Sequence, residues 1–367
     1  MRPVRPVPSR LRPSERDDGR PPGEGVAHVG ATPTRRRHRP GDGRRLDLRL
    51  WPYRHQRHQL RHQAGPRPGG AVVTMTDDPT SVVTVSLTID GQAVEVSEGT
   101  SIHKACESAG IDTPTLCWAE NLTPVNVCRV CVVEVEGQRA LVPSCARPAE
   151  EGMVVETDSE RVKHSRKMVL EFLGSGVDLD QAPELQKWMD HYGSDTSRYD
   201  QYELPALRMG EAPKIQDNLY IRDYDRCVLC YKCVEACGDD AQHTYAIAVS
   251  GRGFDARIST EFDVTLPDSA CVYCGNCIGV CPTGAIQFKT EYDLRQADDW
   301  RPEDQDVTRT VCSYCGVGCN LELHTQDDKI VKVTSPADHS VTSGMLCIKG
   351  RFGWQYVQPV DTPTRKA

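Results

Sequence analysis

Two cysteine runs constrain this chain more than any other feature. The first is Cys227-x2-Cys230-x2-Cys233-x3-Cys237; the second is Cys271-x2-Cys274-x2-Cys277-x3-Cys281-Pro282. Three thiolates on a tight C-x2-C-x2-C loop can reach three irons of one cube, but the fourth cysteine cannot curl back to the remaining iron. The fourth therefore serves the other cluster. This gives two [4Fe–4S] sets: Cys227, Cys230 and Cys233 with Cys281, and Cys271, Cys274 and Cys277 with Cys237. C-x2-C pairs also serve zinc, but two runs of four with this x3 spacing read poorly as zinc knuckles.

Both spacings resemble those of bacterial-type ferredoxins, and Cys281-Pro282-Thr283-Gly284-Ala285-Ile286 is similar to the ending of that family. The resemblance implies a 2[4Fe–4S] ferredoxin domain over residues 220–300. Between the runs, Tyr245 to Ser250 and Phe254 to Ile258 flank Gly251-Arg252-Gly253 and read as a hairpin. The backbone amides of each C-x2-C loop are expected to donate to sulfur.

Composition agrees with small metal-stapled modules. The 367 residues include 17 Cys but only 5 Phe and 5 Trp, and thin apolar cores need such staples. An odd, clustered cysteine count without a signal peptide argues against a secreted disulfide framework and for a reducing, cytoplasmic compartment. No apolar run is long enough to span a membrane. The net charge of −8 is uneven: residues 1–74 hold 17 Arg, no Lys, 4 Asp and 2 Glu, a net +11, leaving −19 for the rest. An acidic body disfavours nucleic acid as its partner.

Residues 1–74 are rich in Arg, Pro and Gly without apolar periodicity, and are expected to be a disordered basic leader. Met75-Thr76-Asp77-Asp78 reads as the true start, which makes the leader a start-site artefact; a nucleic-acid-binding tail is the alternative. Arg35-Arg36-Arg37 lacks the apolar stretch of an export signal.

Residues 75–157 begin with alternating Val83, Val85, Leu87 and Ile89, a turn at Asp90-Gly91, and a return strand through Val94 and Val96. Ser97 to Gly110 reads as a short helix with Ile102, Ala105, Cys106 and Ala109 on one face. Cys117-x10-Cys128-x2-Cys131-x13-Cys145 follows and suits a [2Fe–2S] rhomb, with a zinc ribbon as the alternative. Cys106 is set aside as a buried apolar residue, which leaves 16 cysteines in four sets of four. Hairpin then helix resembles the start of a β-grasp ferredoxin. The x10 and x13 gaps are similar to the amino-terminal domain of complex I large iron–sulfur subunits, iron-only hydrogenases and NAD-linked formate dehydrogenases.

In that family the next region often carries a His and three Cys for a further cluster. Here residues 158–219 contain no cysteine, so this cluster is expected to be absent and the segment a helical spacer. Thr157-x-x-Glu160 reads as a capping box opening a helix through Leu173, stopped by Gly174; a second helix runs from Pro183 to about Tyr192, stopped by Gly193. His164 and His191, without thiolates beside them, read as structural or solvated.

Residues 301–367 hold Cys312-x2-Cys315-x3-Cys319-x27-Cys347, in the wording Cys312-Ser-Tyr-Cys315-Gly-Val-Gly-Cys319 and Cys347-Ile-Lys349-Gly-Arg351. This resembles the first [4Fe–4S] domain of molybdopterin oxidoreductases. The resemblance makes Lys349 a candidate cofactor-binding electron relay between cluster and pterin, with a solvent-exposed turn lysine as the plainer reading. The pterin-binding domains of that family do not follow, so this polypeptide alone is not expected to turn over substrate.

The expected architecture is α+β and multi-domain, with one [2Fe–2S] and three [4Fe–4S] clusters. The order resembles the amino-terminal part of the catalytic subunit of cytosolic NAD-dependent formate dehydrogenases. That resemblance implies an electron-transfer module between a molybdenum- or tungsten-pterin centre (bis-MGD, on a separate or missing domain) and a flavin/NAD diaphorase partner. The alternatives are the large iron–sulfur subunit of a complex I-like or hydrogenase-like NADH oxidoreductase, a stand-alone polyferredoxin, and a zinc-binding regulator using the basic tail.

Overall fold

The computed structural model describes residues 83–199 and 210–358. The basic leader and the start at Met75 lie outside the described residues, as do part of the spacer and the last residues of the chain.

The amino-terminal region is a mixed sheet under one helix. Strands β1 (Thr84–Ile89) and β2 (Gln92–Ser97) form the hairpin, with Ile89 opposite Gln92 across the Asp90-Gly91 turn. Helix α1 (Ile102–Ser108) follows. It starts later than Ser97 because Ser101 is its cap, accepting the Lys104 N–H. Strands β3 (Val132–Val135), β4 (Val142–Pro143) and β5 (Val154–Glu156) complete the order β2-β1-β5-β3-β4, with β1 and β5 parallel. Leu87, Ile89, Ile102, Ala105, Val133 and Val155 form its core.

Two helices come next, α2 (Glu160–Gly176) and α3 (Pro183–Tyr192). The cap of α2 is Ser159, which accepts the Val162 N–H, and not Thr157. Thr157 is occupied elsewhere: its N–H and hydroxyl donate to the Asp90 carboxylate at 2.7 and 2.5 Å, tying the first turn to the entry of α2. Gly174 does not stop α2, which runs on to Gly176; Gly193 does end α3, at φ 58°. The buried Arg166 anchors α2 by donating to the Val132 carbonyl at 2.9 Å and the Tyr192 hydroxyl at 2.6 Å.

Strands β6 (Lys214–Ile215) and β7 (Tyr220–Arg222) precede the first cysteine run, whose last turn is α4 (Lys232–Cys237). The hairpin between the runs is β8 (Ala248–Ser250) and β9 (Arg257–Ser259). The second run contains α5 (Asn276–Gly279) and leads into β10 (Ile286–Phe288) and α6 (Lys289–Gln296). The sheet order is β10-β7-β6, all antiparallel. Finally β11 (Asp306–Val311), β12 (Asn320–Gln326) and β13 (Lys329–Thr334) form an antiparallel sheet, and α7 (Ile348–Phe352) follows the last cysteine.

Helix α7 is pinned into the core of the cysteine-run region. Phe352 packs on Tyr220 and Phe288 at ring centroid distances of 6.2 and 5.7 Å. Burying such a ring stabilises by about 1.5–3 kcal/mol. No helix among the described residues is long and apolar enough to cross a membrane.

The Asp90–Thr157 lock carries a stability expectation. Asp90→Ala leaves both Thr157 donors without their carboxylate and should lower stability by about 1–3 kcal/mol. Chemical denaturation of the anaerobic protein should show an earlier midpoint; an unchanged midpoint would contradict the role of this lock.

Candidate metal centres

The pairing of β7 with β10 brings the two cysteine runs together. Arg222 lies opposite Ile286 and Tyr220 opposite Phe288, and the Asp223 N–H donates to the Ala285 carbonyl at 2.7 Å. The entry of the first run thus meets the exit of the second. Cys227, Cys230, Cys233 and Cys281 line one cavity with Leu229 and Pro282. Cys227 and Cys230 both have Cys281 among the charges acting on them, as does Cys233. Cys274 has Cys237 and Cys271 near it, and Cys277 has Cys274, Cys271 and Cys237. The fourth thiol of each run therefore sits with the first three of the other.

The donor set fits an iron–sulfur cluster. Burial pushes the Cys227 thiol up to about 12 and Cys230 to about 11, and raises Cys233 and Cys277 well above the ordinary range. Ionising such partly or fully buried thiols is costly without a positive centre, which bound iron would supply. Among the described residues, no three His, Cys, Asp or Glu side chains converge to hold a single ion. The first set instead surrounds a cavity.

The backbone repeats one device around these thiols. The amide of residue i+2 hydrogen-bonds the sulfur of residue i at Cys227 from Leu229, Cys230 from Lys232 and Cys274 from Asn276. At Cys271 the donor is the Tyr273 N–H, 3.4 Å away. These bonds need left-handed backbone at matching places: Leu229 and Tyr231 in the first run (φ 51° and 67°), Tyr273 and Gly275 in the second (φ 56° and 69°). Successive amides turned inward in this way form an anion-stabilising nest. Sequence reasoning missed two further contacts, because neither residue lies in a motif. The buried Tyr220 hydroxyl lies 2.9 Å from Cys271 Sγ, and Thr244 Oγ1 is 3.3 Å from Cys237 Sγ.

Cys117, Cys128, Cys131 and Cys145 also come together. Cys131 and Cys145 sulfurs are 3.4 Å apart. Hydrogen bonds from Cys128 and Cys145 lower Cys117, while bonds to Cys117 push those two up. Cys106 is elsewhere, fully buried in the sheet core with Ile102 and Val155, and burial raises its thiol to about 12. Leu116, Cys117 and Cys230 share an apolar cluster with Leu170, Leu185 and Trp188, so the spacer helices pack across both sites. Cys117 is among the charges acting on Cys230. His164 and His191 are exposed.

Cys312, Cys315 and Cys347 are the charges acting on Cys319, and the Cys312 N–H donates to the Cys319 carbonyl at 2.8 Å. This set opens on the surface: Cys315 and Cys347 are exposed, as is Lys349. Val311, Tyr314, Val317 and Ile348, each within two residues of a cysteine of this set, are also exposed.

The chain carries three recognisable domains. Residues 82–160 match the 2Fe-2S iron-sulfur cluster binding domain, 226–285 the 4Fe-4S dicluster domain, and 305–359 the molybdopterin oxidoreductase Fe4S4 domain. Among curated relatives, the mitochondrial NADH-ubiquinone oxidoreductase 78 kDa subunit of Candida albicans (strain SC5314 / ATCC MYA-2876) is 34% identical over 73% of this chain and 36% of its own length. NADP-reducing hydrogenase subunit HndD of Solidesulfovibrio fructosivorans is 39% identical over 55% of this chain and 36% of its own. A provisionally named formate dehydrogenase of Staphylococcus haemolyticus (strain JCSC1435) is 27% identical over 74% and 31%. The chain spans about a third of the length of these relatives.

Cys237→Ala should remove the cluster built on Cys271, Cys274 and Cys277 and spare the one on Cys227; loss of the other signal in electron paramagnetic resonance would refute the exchange of fourth ligands. Cys106→Ser should leave iron content unchanged. A fall of about two irons per chain would make Cys106 a ligand after all.

Proposed function

We propose that this chain is an iron–sulfur electron-transfer module linking a molybdopterin centre that oxidises formate to an NAD-linked flavoprotein. In this reading Cys117, Cys128, Cys131 and Cys145 hold a [2Fe–2S] cluster within a β-grasp domain. Cys227, Cys230, Cys233 and Cys281, then Cys271, Cys274, Cys277 and Cys237, then Cys312, Cys315, Cys319 and Cys347, hold three [4Fe–4S] clusters. Bound clusters of these kinds supply one-electron transfer, which a flavin partner couples to hydride chemistry. The protein's part is to fix their spacing, exclude water and set the hydrogen bonds on sulfur.

The observation that carries the reading is the adjacency of the sites. Cys117 adjoins Cys230, and Cys277 adjoins both Cys233 and Cys281 of the neighbouring set. The Asn276 side chain, one residue before Cys277, accepts the N–H of Leu346, one residue before Cys347. Contacts thus join each set to the next in chain order. The exposed apolar residues around Cys315, Cys347 and Lys349 suit that end to docking against the pterin-binding part, with Lys349 as the relay. The location that goes with this reading is the cytoplasm, and the domain limits are those at residues 74, 157, 219 and 300.

A second reading, the large iron–sulfur subunit of a complex I-like or hydrogenase-like oxidoreductase, is favoured by the identity to the NADH-ubiquinone oxidoreductase 78 kDa subunit. Against it stands the cysteine-free stretch of residues 158–219. One experiment separates the two. The assembly is isolated anaerobically from its own cells through a tag on this chain, then challenged with formate or with NADH. Cluster signals generated by formate support the first reading. Reduction by NADH without reduction by formate supports the second, and reduction by neither overturns both.

A further inference from the structure

Arg351 is a buried cation with no role in the reading above. It lies on α7, is 1% exposed, and makes no ion pair with a carboxylate among the described residues. Its Nη1 donates to the Val333 carbonyl at 3.1 Å, its Nη2 lies 3.3 Å from Asn276 Oδ1, and its Nε has no partner. The ionisable groups close enough to act on it are the thiols of Cys274 and Cys277. A guanidinium stays charged and is costly to bury without a negative partner.

The second cysteine run is shaped around this side chain. A Cβ on Gly275 would lie 2.8 Å from Arg351 Cγ, and one on Gly279 would lie 3.3 Å from Nη2. Asn276 Oδ1 also accepts the Leu346 N–H at 2.9 Å, so one amide group holds both Arg351 and the segment leading to Cys347. Phe352, the next residue, locks α7 in the core.

We infer that Arg351 is the built-in counter-charge of the site formed by Cys237, Cys271, Cys274 and Cys277, and that it raises the reduction potential of this site more than that of its neighbour. The inference rests on the reading that these four thiols hold a [4Fe–4S] cluster. Four thiolates around such a cube leave a net negative charge, and reduction adds one more. A fixed positive charge therefore favours the reduced form. At the site of Cys227, Cys230, Cys233 and Cys281 the cation at hand is Lys232, which acts on Cys230 and is half-buried, whereas Arg351 is buried. Arg351 acts through its field and as a positioning residue, without touching a substrate.

The test compares anaerobic holoprotein of the full chain with Arg351→Gln, which can keep a hydrogen bond, and Arg351→Lys, which keeps the charge. Iron content and the midpoint of each cluster signal are measured by redox titration with paramagnetic resonance. Arg351→Gln should lower one [4Fe–4S] midpoint by about tenfold in its reduction equilibrium, ~59 mV for one electron. The affected signal should be the one lost in Cys237→Ala, and Arg351→Lys should stay near wild type. If Arg351→Gln loses that cluster while Arg351→Lys retains it, the charge is again what matters. Unchanged midpoints in Arg351→Gln, or equal shifts or equal losses in both variants, would overturn the inference. Failure of the underlying reading shows separately, as a Cys237→Ala variant that keeps the iron content of the wild type.

Discussion

The antiparallel pairing of β7 with β10 is the constraint on which the centre of this molecule depends. These are three-residue strands, yet they close a loop that runs from one cysteine run to the other. Without that closure, Cys281 could not stand beside Cys227 and Cys230, nor Cys237 beside Cys271 and Cys274. In the proposed assignment, exchange of the fourth ligand makes each site depend on both runs. On that assignment metal binding and folding are coupled, as expected for a region with few large apolar side chains. The left-handed residues at matching places in the two runs make the same point at the level of single dihedrals. Each run has the shape of a thiolate nest, and the sheet assembles the two nests into a pair.

The neighbouring elements dock onto this centre by burying apolar surface. Helices α2 and α3 fill the angle between Cys117 and Cys230 with Leu170, Leu185, Trp188 and Met189. The segment therefore does more than separate two domains: it sets how the first site meets the second. On the other side, α7 inserts Phe352 beside Tyr220 and Phe288, and the Asn276 amide fastens the chain ahead of Cys347. Contacts on both flanks fix the spacing of sites, which is what stepwise electron transfer requires of a protein.

Much of this was legible in the sequence, because thiolate spacing is a local property. C-x2-C-x2-C dictates a tight loop, and Asp90-Gly91 dictates a two-residue turn. What sequence could not show were the contacts made across long distances. Thr157 looked like a helix cap until Asp90, from another turn, claimed its donors. Tyr220 stands 51 residues before the cysteine it touches. Arg351 looked like part of a terminal motif, whereas its guanidinium reaches Asn276 and Gly279 in the second cysteine run. Each of these depends on tertiary packing, which leaves no periodic trace.

The central claim is that four thiolate sets each hold an iron–sulfur cluster in one folded chain. Iron, acid-labile sulfide and zinc measured together on anaerobically purified protein beginning at Met75 test it most directly. The account predicts about 14 irons per chain, nearly as much sulfide, and no zinc. About 8 irons, or zinc in place of iron in any set, would contradict it.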